Sequence, residues 1–206
     1  MTRPDEAMEE EFRAILMRSM DIKRYVVEQD PEEQDVRRVL NLGHTVGHAL
    51  ESILIERGEP RPHGYCVLWG MVAELYLSHV ALGFPEAVLS QLSRYMKDYY
   101  GAPGFTCKDY DKLLERMRHD KKNTDDRISF TLLRHIGNPA VGSHVTDDEI
   151  REALDYLFSL CTRRRLIYIV RAYTSARSAI IPHAMSPTGS GNGPCGLPLT
   201  ARGEEP

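Results

Sequence analysis

The run Arg37-Arg38-Val39-Leu40-Asn41-Leu42-Gly43-His44-Thr45-Val46-Gly47-His48-Ala49-Leu50-Glu51 constrains this chain more than any other stretch. Written as a helix, it places Arg37, Asn41, His44, His48 and Glu51 at i, i+4, i+7, i+11 and i+14, on one face. Val39, Leu42, Val46, Leu50 and Ile53 fall on the roughly opposite face. One side is oily and packs. The other carries an arginine, an amide, two imidazoles and a carboxylate in a row. A face built only for solubility is mostly Lys and Glu; this one is made of groups that bind metals, anions and protons.

His44 and His48 form a His-x-x-x-His pair, and one helical turn points both rings the same way, as helical zinc sites require. A catalytic zinc takes three protein ligands and keeps one position open. His63, in the short loop Glu59-Pro60-Arg61-Pro62-His63-Gly64, is a candidate further ligand. The alternative is a histidine pair that fell one turn apart by chance. Gly43 and Gly47 lie inside the expected helix, 36–57, at a cost of about 1 kcal/mol each relative to Ala. They leave room for another helix or a ligand to approach the backbone. Lys23, Arg37, Lys121 and Lys122 are cations of the kind that hold a phosphate or carboxylate. The plain alternatives are a lysine stem snorkelling over the core at Lys23 and a solvated loop at Asp120-Lys121-Lys122.

The rest of the chain reads as mainly α. Residues 5–29 form a long amphipathic helix with Met8, Phe12, Ile15, Leu16, Met20, Ile22, Val26 and Val27 as its apolar stripe. Asp30-Pro31-Glu32-Glu33 is a turn or a helix start. A helix over 65–82 is apolar nearly all round and is expected at the centre of the domain. Further helices are expected over 86–99, from a capping box at Thr106–Asp109 to Arg118, and from Thr146-Asp147-Asp148-Glu149 to Leu160. Residues 128–133 and 140–145 suggest a small hairpin across Gly-Asn-Pro.

A net charge of −4 gives no reason to expect nucleic acid or an anionic membrane surface as partner. No apolar run approaches the roughly 20 residues that span a bilayer, and the acidic N-terminus is not a signal peptide. Four scattered cysteines, with no Cys-x-x-Cys pair, suggest a reduced, cytoplasmic protein. Residues 161–206 contain six arginines, no lysine and a Pro/Gly/Ser/Thr-rich end. We expect two regions: a helical domain over 1–160, and a poorly ordered tail over 161–206 that is not native to the domain.

Leu40-Asn41-Leu42-Gly43-His44-Thr45-Val46-Gly47-His48-Ala49-Leu50-Glu51 resembles the central signature of the 3-dehydroquinate synthase family. Lys23 ahead of Val26-Val27, then Asp30, Glu33 and Arg37, follow the family's order, as do His63-Gly64, Gly70-Met71, Asp120-Lys121-Lys122, Phe130-Thr131-Leu132-Leu133 and Ile136-Gly137. The resemblance covers about residues 12–158 and only the C-terminal, helical half of that enzyme. It implies a multi-helix domain with a small β-hairpin, lacking the NAD-binding α/β domain. It implies a lyase of the shikimate pathway and of aromatic amino acid biosynthesis. Such an enzyme converts 3-deoxy-D-arabino-heptulosonate 7-phosphate to 3-dehydroquinate and phosphate, with catalytic NAD and a divalent metal, usually zinc. By position, His44 and His63 resemble two metal ligands, and His48 the histidine that meets substrate and helps move protons. Lys23, Arg37 and Asn41 resemble substrate-binding residues, as does one lysine of Lys121 and Lys122.

Two departures stand out. The family block usually reads His-Gly-Glu-Ala where this chain has His63-Gly64-Tyr65-Cys66. The family's third metal ligand, a glutamate upstream of the Lys23 position, has no counterpart, and no Gly-rich nucleotide loop is present. The expectation is a fragment inactive by itself, with a phosphorylated sugar acid as substrate and a second copy or an N-terminal half-protein as partner. The alternatives are a related sugar-phosphate cyclase and a non-catalytic helical interaction domain.

Overall fold

The structure is a computed structural model that describes residues 4–119 and 127–161. Helix α1 (Pro4–Gln29) leads through a turn into a 3-10 segment (Val36–Asn41), then α2 (His44–Glu56) and α3 (His63–Leu82). Helix α4 (Glu86–Tyr100), a 3-10 turn (Cys107–Asp109) and α5 (Tyr110–Arg118) follow. A hairpin of β1 (Ser129–His135) and β2 (Asn138–His144) precedes α6 (Asp147–Cys161). The described part is thus the mainly α domain with one hairpin that the sequence predicts. Lys121, Lys122 and the expected tail, apart from the last residue of α6, lie outside the described residues.

Helix α3 is the hub. It packs against α2, α4, α6 and β1, and Trp69, Val72, Ala73 and Leu77 on it are almost fully buried. By length and composition α3 would also suffice to cross a membrane, contrary to the sequence expectation that no such run exists. Its burial by four neighbouring elements is that of a core helix. Around it Leu50, Ile53, Met96, Leu113, Phe130 and Leu157 complete the core.

Helices α2 and α3 meet through glycine. A Cβ on Gly70 would lie 2.1 Å from Gly43 O and 2.5 Å from Gly47 N. No side chain fits between these backbones, so the crossing is set by three glycines rather than by interdigitated side chains.

The capping boxes form where expected. The Asp109 carboxylate accepts from Thr106 N (2.7 Å) and Thr106 Oγ1 (3.1 Å). The Glu149 carboxylate accepts from Thr146 N (2.7 Å) and Thr146 Oγ1 (2.8 Å). The hairpin turn differs by two residues from the expected one. Ile136-Gly137 makes the turn, with Gly137 at φ 79°, and Asn138 and Pro139 already pair with His135 and Leu133. Pro139 is tolerated because β2 is an edge strand.

Three further expectations are corrected. The helix expected over 36–57 is two elements, because Gly43 adopts φ 82° and breaks it. The stripe of α1 is not core: Met8, Phe12, Ile15, Leu16, Met20 and Ile22 are all exposed, and only Val26 is buried. Helix α1 leans on the 3-10 segment and leaves the rest of that face uncovered within the described residues. Cys66 is a buried free thiol, but Cys107 is disulfide-bonded, which departs from the expected all-reduced state.

Candidate metal centre

Two elements bring the site together. His44 is the first residue of α2 and His48 lies one turn on, so the expected i, i+4 pairing survives the break at Gly43. His63 is the first residue of α3 rather than a loop residue. Because α3 returns alongside α2, His63 reaches both other rings. The centroids are 5.3 Å apart for His44 and His48, 5.5 Å for His44 and His63, and 5.6 Å for His48 and His63. One ligand atom from each of the three lies within 4.8 Å of the other two.

The chemistry of two of these rings is fixed by their neighbours. His44 Nδ1–H donates to the Leu42 carbonyl at 3.2 Å. His63 Nδ1–H donates to Glu51 Oε2 at 2.9 Å. A carbonyl and a carboxylate only accept, so each ring carries a proton on Nδ1, and in its neutral form keeps the lone pair on Nε2. Three imidazoles within one ligand span, two of them already in the ligating tautomer, fit a divalent first-row metal.

The start of α2 is held from below by Glu74, which is completely buried. Its Oε2 accepts from Gly43 N at 2.6 Å and its Oε1 from Val46 N at 3.1 Å. The carboxylate does the work of an N-cap, satisfying two backbone donors at the positive end of the helix that carries His44 and His48. Sequence reasoning missed this residue. The signal was present: Glu74 is the one Asp, Glu, Lys or Arg in the 20 residues of α3.

The other candidate residues form a second group around Glu33. Asn41 Nδ2 donates to Glu33 Oε1 at 2.7 Å, and Arg37 Nε lies 3.9 Å from Glu33 Oε2. Arg37 Nη1 donates to the Pro31 carbonyl at 2.7 Å. Asp30 organises this loop by accepting from the backbone N–H of Gln34, Asp35 and Arg37 at 3.0, 2.7 and 3.1 Å. The bonds to Asp35 and Gln34 hold its carboxyl below the usual carboxylate range, helped by the Arg37 charge against a desolvation cost. Strand β1 braces the same segment: Arg38 Nη2 donates to Ser129 Oγ (3.2 Å), Thr131 Oγ1 to Arg38 O (2.9 Å) and Thr45 Oγ1 to Ser129 O (3.3 Å). The structure thus brings the three histidines together and gathers Arg37 and Asn41 on Glu33. Lys23 stands exposed on α1.

The fold and the cluster define a helical domain that gathers three histidines within reach of one point. Residues 2–123 match the family model for the 3-dehydroquinate synthase C-terminal domain. The chain belongs to that family. It is 47% identical over 145 residues to the 3-dehydroquinate synthase of Parabacteroides distasonis, covering 70% of this chain and 41% of the relative. It is 36% identical over 141 residues to that of Listeria monocytogenes, covering 68% and 38%. The chain therefore spans about two-fifths of the length of these relatives. Among solved structures it resembles 2-deoxy-scyllo-inosose synthase complexed with carbaglucose-6-phosphate, NAD+ and Co2+ (TM-score 0.58, 23% identity, 71% of this chain and 41% of that one). That likeness is one of fold.

Proposed function

We propose that this chain is the metal- and substrate-binding portion of a 3-dehydroquinate synthase and is inactive without the remainder of the enzyme. The observation that carries the reading is the histidine cluster, with His44 and His63 already holding their protons on Nδ1. His44 and His63 would hold the divalent metal, zinc by family habit. Bound there, a metal supplies Lewis acidity toward a substrate hydroxyl. His48, beside both ligands, is assigned to substrate contact and proton transfer. Arg37, Lys23 and a lysine of the pair Lys121 and Lys122 supply the cations for a substrate phosphate and carboxylate, and Asn41 a hydrogen-bonding amide.

The reaction proposed is conversion of 3-deoxy-D-arabino-heptulosonate 7-phosphate to 3-dehydroquinate and inorganic phosphate, with no net redox change. NAD, which the solved neighbour holds, is assigned to the portion of the relatives that this chain does not span. The setting proposed is the cytoplasm. The identity to synthases on the one hand and a fold likeness to an inosose synthase on the other frame the choice between this substrate and another sugar phosphate.

The test is reconstitution. The purified chain is assayed with zinc, NAD and the heptulosonate phosphate, alone and with the N-terminal portion of a relative, and in parallel with glucose 6-phosphate. Dehydroquinate formed only in the mixture is the expected result. Turnover by the chain alone contradicts the inactive-fragment reading, and a carbocycle made only from glucose 6-phosphate contradicts the substrate.

A further inference from the structure

Glu51 lies on α2 one turn beyond His48, and its carboxylate reaches across to the first residue of α3. His63 is half exposed there and the Glu51 side chain about a quarter exposed. His44 is held differently, by a backbone carbonyl two residues away that no substitution of a side chain removes. Among the described residues, Glu51 is the side chain seen to hold a ring of the cluster in its tautomer. A carboxylate behind a ligating imidazole fixes ring orientation and raises ligand basicity.

We infer that Glu51 is a positioning residue of the metal centre, holding His63 with its proton on Nδ1 and its Nε2 lone pair available to a divalent cation. The inference rests on the reading of His44 and His63 as metal ligands. The competing view is a simple ion pair between two helices. Half-exposed pairs of that kind contribute little to stability, so the two views separate cleanly: positioning predicts a change at the metal with almost none in folding.

The experiment has two arms on the intact chain. Long-range nitrogen-15 NMR of the metal-free protein, at a pH where the ring is neutral, reads the His63 tautomer directly. Titration with Co2+, followed by its visible absorption, reads affinity and ligand field. Wild type should show His63 protonated on Nδ1. In E51A the proton should move to Nε2, and Co2+ affinity should fall about 10- to 100-fold with thermal unfolding unchanged. E51Q, whose carbonyl oxygen still accepts, should restore the tautomer and most of the affinity. Finding His63 protonated on Nε2 in wild type, or no change of tautomer and affinity in E51A, overturns the inference. The underlying metal reading fails separately, if H44A and H63A bind Co2+ as wild type does; the NMR arm then still decides whether Glu51 sets the tautomer.

Discussion

Glu74 Oε2 accepts the backbone N–H of Gly43 at 2.6 Å, and through that bond a buried carboxylate of α3 fixes where α2 begins. Its second oxygen takes Val46 N, so both oxygens are committed to one helix start. Glu74→Gln keeps the shape but has one acceptor oxygen, and leaves a buried backbone N–H facing an amide. The expected loss is about 1–3 kcal/mol of stability, measured by chemical denaturation. Metal affinity should fall with it, because the displaced turn carries His44.

The glycine crossing predicts opposite signs at two nearby positions. Gly70→Ala puts a methyl into the backbone of Gly43 and Gly47 and should cost about 3 kcal/mol or more. Gly64→Ala, also in α3, meets open space and should be neutral or stabilising by up to about 1 kcal/mol. Denaturation midpoints of the two variants check both.

Much of this was legible in the sequence. Periodicity found α3 as the buried hub, the Thr106 and Thr146 boxes placed two helix starts, and the His44, His48 and His63 spacing found the cluster. The break at Gly43 was not legible. The pattern of Arg37, Asn41 and His44 reads smoothly as a helix, since 3.0 and 3.6 residues per turn differ little over one turn. What ends the continuity is the positive φ of Gly43, whose N–H is held by Glu74 from far along the chain. The stripe of α1 failed for another reason: periodicity says that a face is apolar, not what covers it.

Acid should loosen the loop that carries Arg37. The Asp30 carboxyl titrates below its ordinary value in the folded protein, so its contribution is fully present above that value and is lost as pH falls through the lowered one. The same sign holds for Glu56, lowered mainly by its hydrogen bond from Lys112. Stability should therefore decline from about pH 4 downward, and Asp30→Asn should flatten part of that decline. Denaturation midpoints of both proteins across that range test it.

Cys66 should be inert in the native protein. Burial, and secondarily the Glu51 charge, push its thiol up to about 11, and it is fully enclosed. At neutral pH the thiolate is scarce and unreachable. Mass spectrometry of the Cys66 peptide after iodoacetamide should show labelling only under denaturing conditions. Native labelling at a rate near that of a free thiol would mean that the α2–α3 crossing opens readily.

Metal stoichiometry tests the centre most directly. The purified chain is dialysed against zinc and analysed by mass spectrometry for bound metal, beside H44A, H63A and H48A. About one zinc per chain in wild type, none retained by H44A or H63A, and zinc kept by H48A is the predicted result. Wild type without zinc, or zinc retained in both H44A and H63A, would contradict the assignment of these histidines as the metal centre.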